Sequence, residues 1–202
     1  MRCCRRLWEA GLIAGADGNV SVRTAADRVL VTPAGMLKAD LRIDDLVEVD
    51  LTGRAISGTR RASSELDLHL ALYQHDPACR AIVHAHPPFA TAHAVTGLPL
   101  EADALPELLL LLGRSVPMAP FAVPGTRAVG ASVVPFAATH RAVLLANHGA
   151  VTWGGDLRIA QIRMESLEHG ARILSAARAL GEIRRLPTDV VDVLDPRDRR
   201  MT

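Results

Sequence analysis

Three histidines and one glutamate are the residues of this sequence best placed to do chemistry. His84 and His86 stand one residue apart in Ala81-Ile82-Val83-His84-Ala85-His86-Pro87-Pro88. Alternate residues of a strand point to one face, so both imidazoles present to the same side. Two neutral imidazoles side by side are the start of a site for zinc or another divalent metal. The plainer reading is a pair of hydrogen-bonded histidines at a strand end. His148 follows the apolar run Ala142-Val143-Leu144-Leu145-Ala146 and precedes Gly149. That glycine lets the backbone turn closely beside a metal. Three histidines from two strand ends make a facial set with positions open to substrate. Glu65 is a candidate fourth ligand or base, with a pKa tuned by the metal's charge. Taken singly, His148 also reads as a turn histidine and Glu65 as a helix-cap charge.

The elements around these residues follow from pattern. Ala81 to His86 reads as a buried strand because Ile82 and Val83 are β-branched, and Pro87 stops it. Ala142 to Ala146 is a second apolar strand, and 150–153 resumes after the Asn147-His148-Gly149 turn. Residues 19–23 with 28–31, and 46–50 with 54–57, read as two hairpins. Ser63-Ser64-Glu65 opens a helix with a serine at its N-cap, and it ends before Asp76-Pro77. Glu65 and His69 are four apart and share a face of that helix, so His69 is a candidate partner behind the ligands. Further helices are expected over 5–14, 89–95, 106–112 and 126–138. The longest runs from Asp156 to about Leu180 on a three-four seam of Leu157, Ala160, Met164, Leu167, Ala171 and Leu174. Residues 116–124 are proline-interrupted and extended, at a sheet edge or in a loop.

Composition excludes several classes. The chain of 202 residues has a formal net charge of +1 and 3% aromatic residues. It therefore lacks the basic footprint and the stacking platform of a nucleic-acid binder. No apolar run approaches a membrane span, and no basic amphipathic stretch suggests a membrane surface. The three cysteines form neither a disulfide framework nor a C-x-x-C pattern, which favours a reducing cytoplasm. The length fits a single domain over 1–202, with a flexible tail after about 194.

Six motifs occur in order: Gly18-Asn19-Val20-Ser21-Val22-Arg23, Thr32-Pro33-Ala34-Gly35, Ser63-Ser64-Glu65 with His69, His84-Ala85-His86-Pro87, Pro120-Phe121 with Pro124-Gly125-Thr126, and Asn147-His148-Gly149. Together they resemble the class II aldolase/adducin family, from about Leu7 to Leu180. The resemblance implies an α/β fold: a three-layer α/β/α sandwich with a central, mostly antiparallel sheet. It implies Zn2+ (Mn2+ or Co2+ as alternatives) held by His84, His86 and His148, with Glu65 as fourth ligand in the resting enzyme. Glu65 would leave the metal when substrate chelates it, then shuttle a proton at the carbon that becomes nucleophilic. The substrate phosphate would sit among Gly18, Asn19, Gly35, Ser63 and Ser64.

The implied activity is retro-aldol cleavage of a small ketose or ketose phosphate through a metal-stabilised enediolate. The same site serves a sugar-phosphate 4-epimerase or a sugar-acid decarboxylase, and an adducin-like scaffold would keep the fold without catalysis. The resemblance also implies a homotetramer with the site near a subunit boundary. Two positions depart from the aldolase pattern. Ala34 replaces a hydroxyl residue in the phosphate loop. The chain's single tyrosine is Tyr73, so the tyrosine that aldolases lend across the interface has no counterpart; Pro106-Glu107 fall near its place.

Overall fold

The computed structural model describes residues 1–195. The chain begins with α1 (Arg2–Glu9), β1 (Asn19–Ala25) and β2 (Arg28–Val31), followed by β3 (Val47–Asp50) and β4 (Ala55–Ser57). Helix α2 (Leu66–His75) leads into β5 (Ala81–Ala85), α3 (Pro88–Thr96) and β6 (Leu100–Glu101). Next come α4 (Pro106–Leu112), β7 (Ser115–Val116), β8 (Met118–Ala119) and α5 (Arg127–Val133). The chain continues through β9 (Ala142–Leu145), β10 (Gly149–Gly154), α6 (Leu157–Leu180) and α7 (Thr188–Leu194).

Eight strands form one sheet in the order β4-β3-β2-β1-β5-β10-β9-β8, and only the β8–β9 pair is parallel. The central, mostly antiparallel sheet expected from the resemblance is therefore present. Helices cover both faces. On one side Ala81, Val83 and Ala85 pack with Met164, Leu167 and Ala171 of α6; on the other Ile82 packs with Leu68, Leu72 and Trp153. All five residues of β5 are buried, which explains an apolar run without alternation. The same two-sided burial holds for β9 and β10.

Two expectations change. The first helix spans Arg2–Glu9 rather than 5–14, because Cys3, Cys4 and Leu7 supply its buried face. Helix α2 begins at Leu66, with Glu65 rather than a serine at the N-cap position. Ser63 stays extended instead, since its N–H donates to the Thr32 carbonyl and Pro33 bridges Ala62. Its hydroxyl accepts from the Glu65 N–H. Before the expected tail, Thr188–Leu194 is helical, Val191 is buried, and Arg114 pairs with Asp192 and Asp195. Beyond Asp195 that tail lies outside the described residues.

The segment after β5 is clamped from below. Glu168, in the middle of α6 and 3% exposed, accepts hydrogen bonds from the Phe89 and Ala90 N–H groups. These are among the first amides of α3, which an α-helix cannot satisfy itself. The carboxylate thus fixes the helix that starts two residues after His86. Glu168→Ala leaves one buried and one part-buried donor unpaired, so a loss of roughly 1–3 kcal/mol is expected in urea unfolding. A midpoint within error of wild type would contradict the clamp.

Candidate metal centre

The antiparallel register of β5 and β10 brings the histidines together. Val151 pairs with His84 and Ala150 with Ala85, so the turn carrying His148 lies beside His86 just past the end of β5. Asn147 holds a left-handed φ of 55° in that turn, a conformation asparagine tolerates better than most residues. Gly149 is required by space: a Cβ there would meet the Ala85 carbonyl at 2.6 Å and His86 Cδ2 at 2.7 Å. On the other side of β5, Asn19 of β1 pairs with His84. Gly18 turns with φ +66° against the His84 carbonyl, where a Cβ would sit 2.8 Å from that oxygen.

One ring nitrogen each from His84, His86 and His148 lies within 4.8 Å of the others. The ring centroids are 4.8–5.0 Å apart. Glu65 reaches in from the start of α2. Its Oε2 is 3.0 Å from His84 Nε2 and its Oε1 is 3.3 Å from His148 Nε2. Beside these side chains opens a cleft of about 380 Å³. Gly18, Asn19, Gly35, Ser63, Ser64, Glu65, His86 and His148 line the cleft, while fully buried His84 lies beneath it.

The donor set fits a metal ion. The Ala150 carbonyl can only accept, so His84 donates Nδ1–H to it at 2.9 Å. This turns His84 Nε2 toward the Glu65 carboxylate and toward His86 Nε2, 3.2 Å away. That nitrogen bears a proton only if the ring is an imidazolium, so a cation of some kind belongs between His84 and Glu65. The neighbouring rings resist protons. Burial first, and His84 second, lower the pKa of His86 and push His148 down to about 4. Burial alone would raise Glu65, but the bond and charge of His84, then His148 and Asn19, hold it at about 2. Imidazoles gathered around a carboxylate are the ligand set of a divalent metal. Glu65 Oε1 is also buried without a hydrogen bond, an orphan that a metal ion would satisfy.

Two groups near this centre, Asp17 and Lys38, have no role in the sequence reading, and Asn19, expected there at the substrate phosphate, also contacts Glu65. Asp17 lies 3.5 Å from His86 Nδ1 and lines the cleft. Lys38 is buried and donates to the Ala16 and Met36 carbonyls, tying the loop before β1 to the loop after β2. Asn19 has the side chain that bridges: its Nδ2 donates to Glu65 Oε2 at 3.0 Å, and its Oδ1 accepts from His69 Nε2 at 2.5 Å. His69 therefore reaches Glu65 through Asn19 rather than along its own helix. Glu107 lies apart from this cleft, in a groove between α4 and α6.

The model of the class II aldolase and adducin N-terminal domain matches residues 1–175. The chain belongs to the class II aldolase/adducin family. A 3-oxo-tetronate 4-phosphate decarboxylase of Pectobacterium atrosepticum is 36% identical over 172 residues, covering 83% of this chain and 78% of the relative. A 5-deoxy-D-ribulose 1-phosphate aldolase of Bacillus thuringiensis is 32% identical, covering 94% and 89%. An L-fuculose 1-phosphate aldolase structure superposes with a TM-score of 0.90 at 31% identity, covering 96% of this chain and 91% of that one. Class II aldolases are metal-dependent, and the three-histidine site is present. Among the described residues no helix is long and apolar enough to cross a membrane.

Two outcomes are expected. His84→Ala removes the ring tied to Ala150, so metal content measured after purification should fall to background; full occupancy would refute the ligand assignment. The second concerns acid. Burial, then the charge of His84, lower the pKa of His69 from 6.5 to about 3. Between those values the unfolded chain binds the proton and the folded chain does not. This contribution is therefore intact above 6.5 and shrinks as pH falls toward about 3. Thermal unfolding of metal-free His69→Gln should accordingly lose less Tm than wild type between neutral pH and about pH 4. Identical losses would show that His69 is not held neutral.

Proposed function

We propose that this protein is a zinc-dependent carbon–carbon lyase that splits a small ketose phosphate by retro-aldol chemistry. The observation that carries the reading is the convergence of three imidazoles and the Glu65 carboxylate beside one cleft. The names of the aldolase relatives support it. His84, His86, His148 and Glu65 would hold the ion. When bound, it supplies a Lewis acid for the negative charge that develops on the substrate oxygens.

The chain's own residues do the rest. Gly18, Asn19, Gly35, Ser63 and Ser64 line the cleft with backbone and hydroxyl donors suited to a phosphate. Lys38 is the fixed cation among the residues lining it. As the carbon–carbon bond breaks, its electron pair passes to the carbon beside the substrate carbonyl and an aldehyde departs. Glu65, ionised at rest, takes up a proton from water, delivers it to this carbon, and recovers it in the reverse direction. The proton lost by the cleaved alcohol passes to water or to Glu107 of another subunit, since no tyrosine stands near the cleft. That assignment is part of the proposal, as are a homotetramer, a cytoplasmic location and one domain spanning the chain.

A second reading is favoured by the 36% identity to the decarboxylase. In it the same electron pair is released as carbon dioxide leaves a 3-oxo acid phosphate, and Glu65 again protonates the carbon. Incubating the metal-loaded protein with a ketose 1-phosphate and with a 3-oxo acid 4-phosphate separates the readings. Free aldehyde from the first supports the aldolase. Carbon dioxide from the second alone replaces it with the decarboxylase, and a new epimer without free aldehyde replaces it with an epimerase. Glu65→Gln should lower turnover by roughly a hundred-fold or more while metal is retained. Wild-type turnover in that variant would remove Glu65 from the proton transfer.

A further inference from the structure

Behind Glu65 lies a line of buried polar side chains running between β1 and α2. Glu65 Oε2 contacts Asn19 Nδ2 at 3.0 Å, Asn19 Oδ1 contacts His69 Nε2 at 2.5 Å, and His69 Nδ1 contacts Ser21 Oγ at 2.6 Å. Ser21 Oγ in turn contacts the Tyr73 hydroxyl at 2.8 Å. Asn19, Ser21, His69 and Tyr73 are 4%, 1%, 0% and 2% exposed, so water does not compete for these bonds. Ser21 sits two residues from Asn19 on β1, and Tyr73 sits one turn from His69 on α2. The pairing of one strand face with one helix face therefore builds the whole line.

The proton on every link is fixed by its neighbour. An ionised carboxylate only accepts, so Asn19 must present its amide nitrogen to Glu65 and its oxygen to His69. That oxygen only accepts, so His69 carries its proton on Nε2. A neutral ring then has a bare Nδ1, which must accept from the Ser21 hydroxyl. The Ser21 oxygen is left to accept from Tyr73, whose hydroxyl burial keeps protonated. Reversing any one donor would leave two acceptors or two donors face to face in a site without water, at a cost no buried pair tolerates cheaply.

We propose that Tyr73, Ser21, His69 and Asn19 form a one-way chain of hydrogen-bond donors that holds the Glu65 carboxylate with Oε2 as a standing acceptor and Oε1 as the working oxygen, which makes His69 a positioning residue for the proton transfer. This rests on the reading of Glu65 as the proton carrier. The geometry is consistent with it: Oε2 receives the Asn19 amide, whereas Oε1 has no hydrogen bond and lies on the side of His148. Such a chain keeps the carboxylate from rotating when it is released from the metal ligand set. A carboxylate held in one orientation meets the substrate carbon without a search, and orientation of this kind is worth large factors in rate.

The test reads tautomer and turnover separately. Long-range proton–nitrogen NMR of the metal-loaded protein should show His69 neutral and protonated on Nε2 at neutral pH. A proton on Nδ1, or an imidazolium, overturns the chain whatever the protein catalyses. His69→Leu should lower kcat about ten-fold or more with KM and metal content near wild type, since it disturbs orientation and not binding. His69→Gln offers an amide nitrogen to Asn19 and an oxygen to Ser21, and should restore most of that kcat. Should His69→Leu fail to fold, Ser21→Ala carries the same test, because it removes one oxygen and leaves Nδ1 without its donor. Unchanged kcat in the folded variants overturns the positioning role. If wild type shows no carbon–carbon cleavage, the proposed activity fails while the tautomer measurement still decides the chain.

Discussion

The hydrogen bond from His84 Nδ1 to the Ala150 carbonyl is the interaction on which the rest of the site depends. It crosses from β5 to β10, so it forms only when the two strands hold the register that puts Val151 opposite His84. Once made, it turns the other ring nitrogen toward Glu65 and His86. Backbone pairing thereby dictates the direction of a metal ligand. The buried strands on either side leave the ring no room to turn away, since His84 is fully buried. The same principle recurs at Glu168, whose carboxylate anchors the amides of α3, and at Lys38, whose ammonium ties two cleft loops.

A second constraint is electrostatic. Three imidazoles and a carboxylate in one buried cluster form a stable set only around a cation. Burial and mutual repulsion suppress protonation of His86 and His148, and Glu65 stays ionised. The site is thus prepared to receive a metal rather than protons. Its cleft is also lined by glycines and serines, donors that suit a substrate with an anionic end.

Much of this was legible in the sequence because it depends on short-range periodicity. The spacing of His84 and His86 places both rings on one side of a strand, and Asn147-His148-Gly149 announces a turn at the end of an apolar strand. The longest helix follows from its seam and from Asp156, which accepts from the Ile159 N–H as an N-cap. What sequence could not give depends on which elements become neighbours. Asn19 and His69 are 50 residues apart and read separately as a phosphate-site residue at a strand start and a helix residue; the β1–β5 pairing and the packing of α2 make them partners. Asp17 beside His86, and Glu168 inside an apolar seam, were invisible for the same reason. The serine N-cap failed because a long-range bridge between Pro33 and Ala62 holds Ser63 extended, overriding a local preference.

The coordination claim is tested most directly by X-ray absorption on the purified, metal-loaded protein. The account predicts one ion per chain with three imidazole nitrogens at about 2.0–2.1 Å and an oxygen completing the set. A stoichiometric ion whose spectrum lacks imidazole scattering, or no bound ion at all, would contradict it.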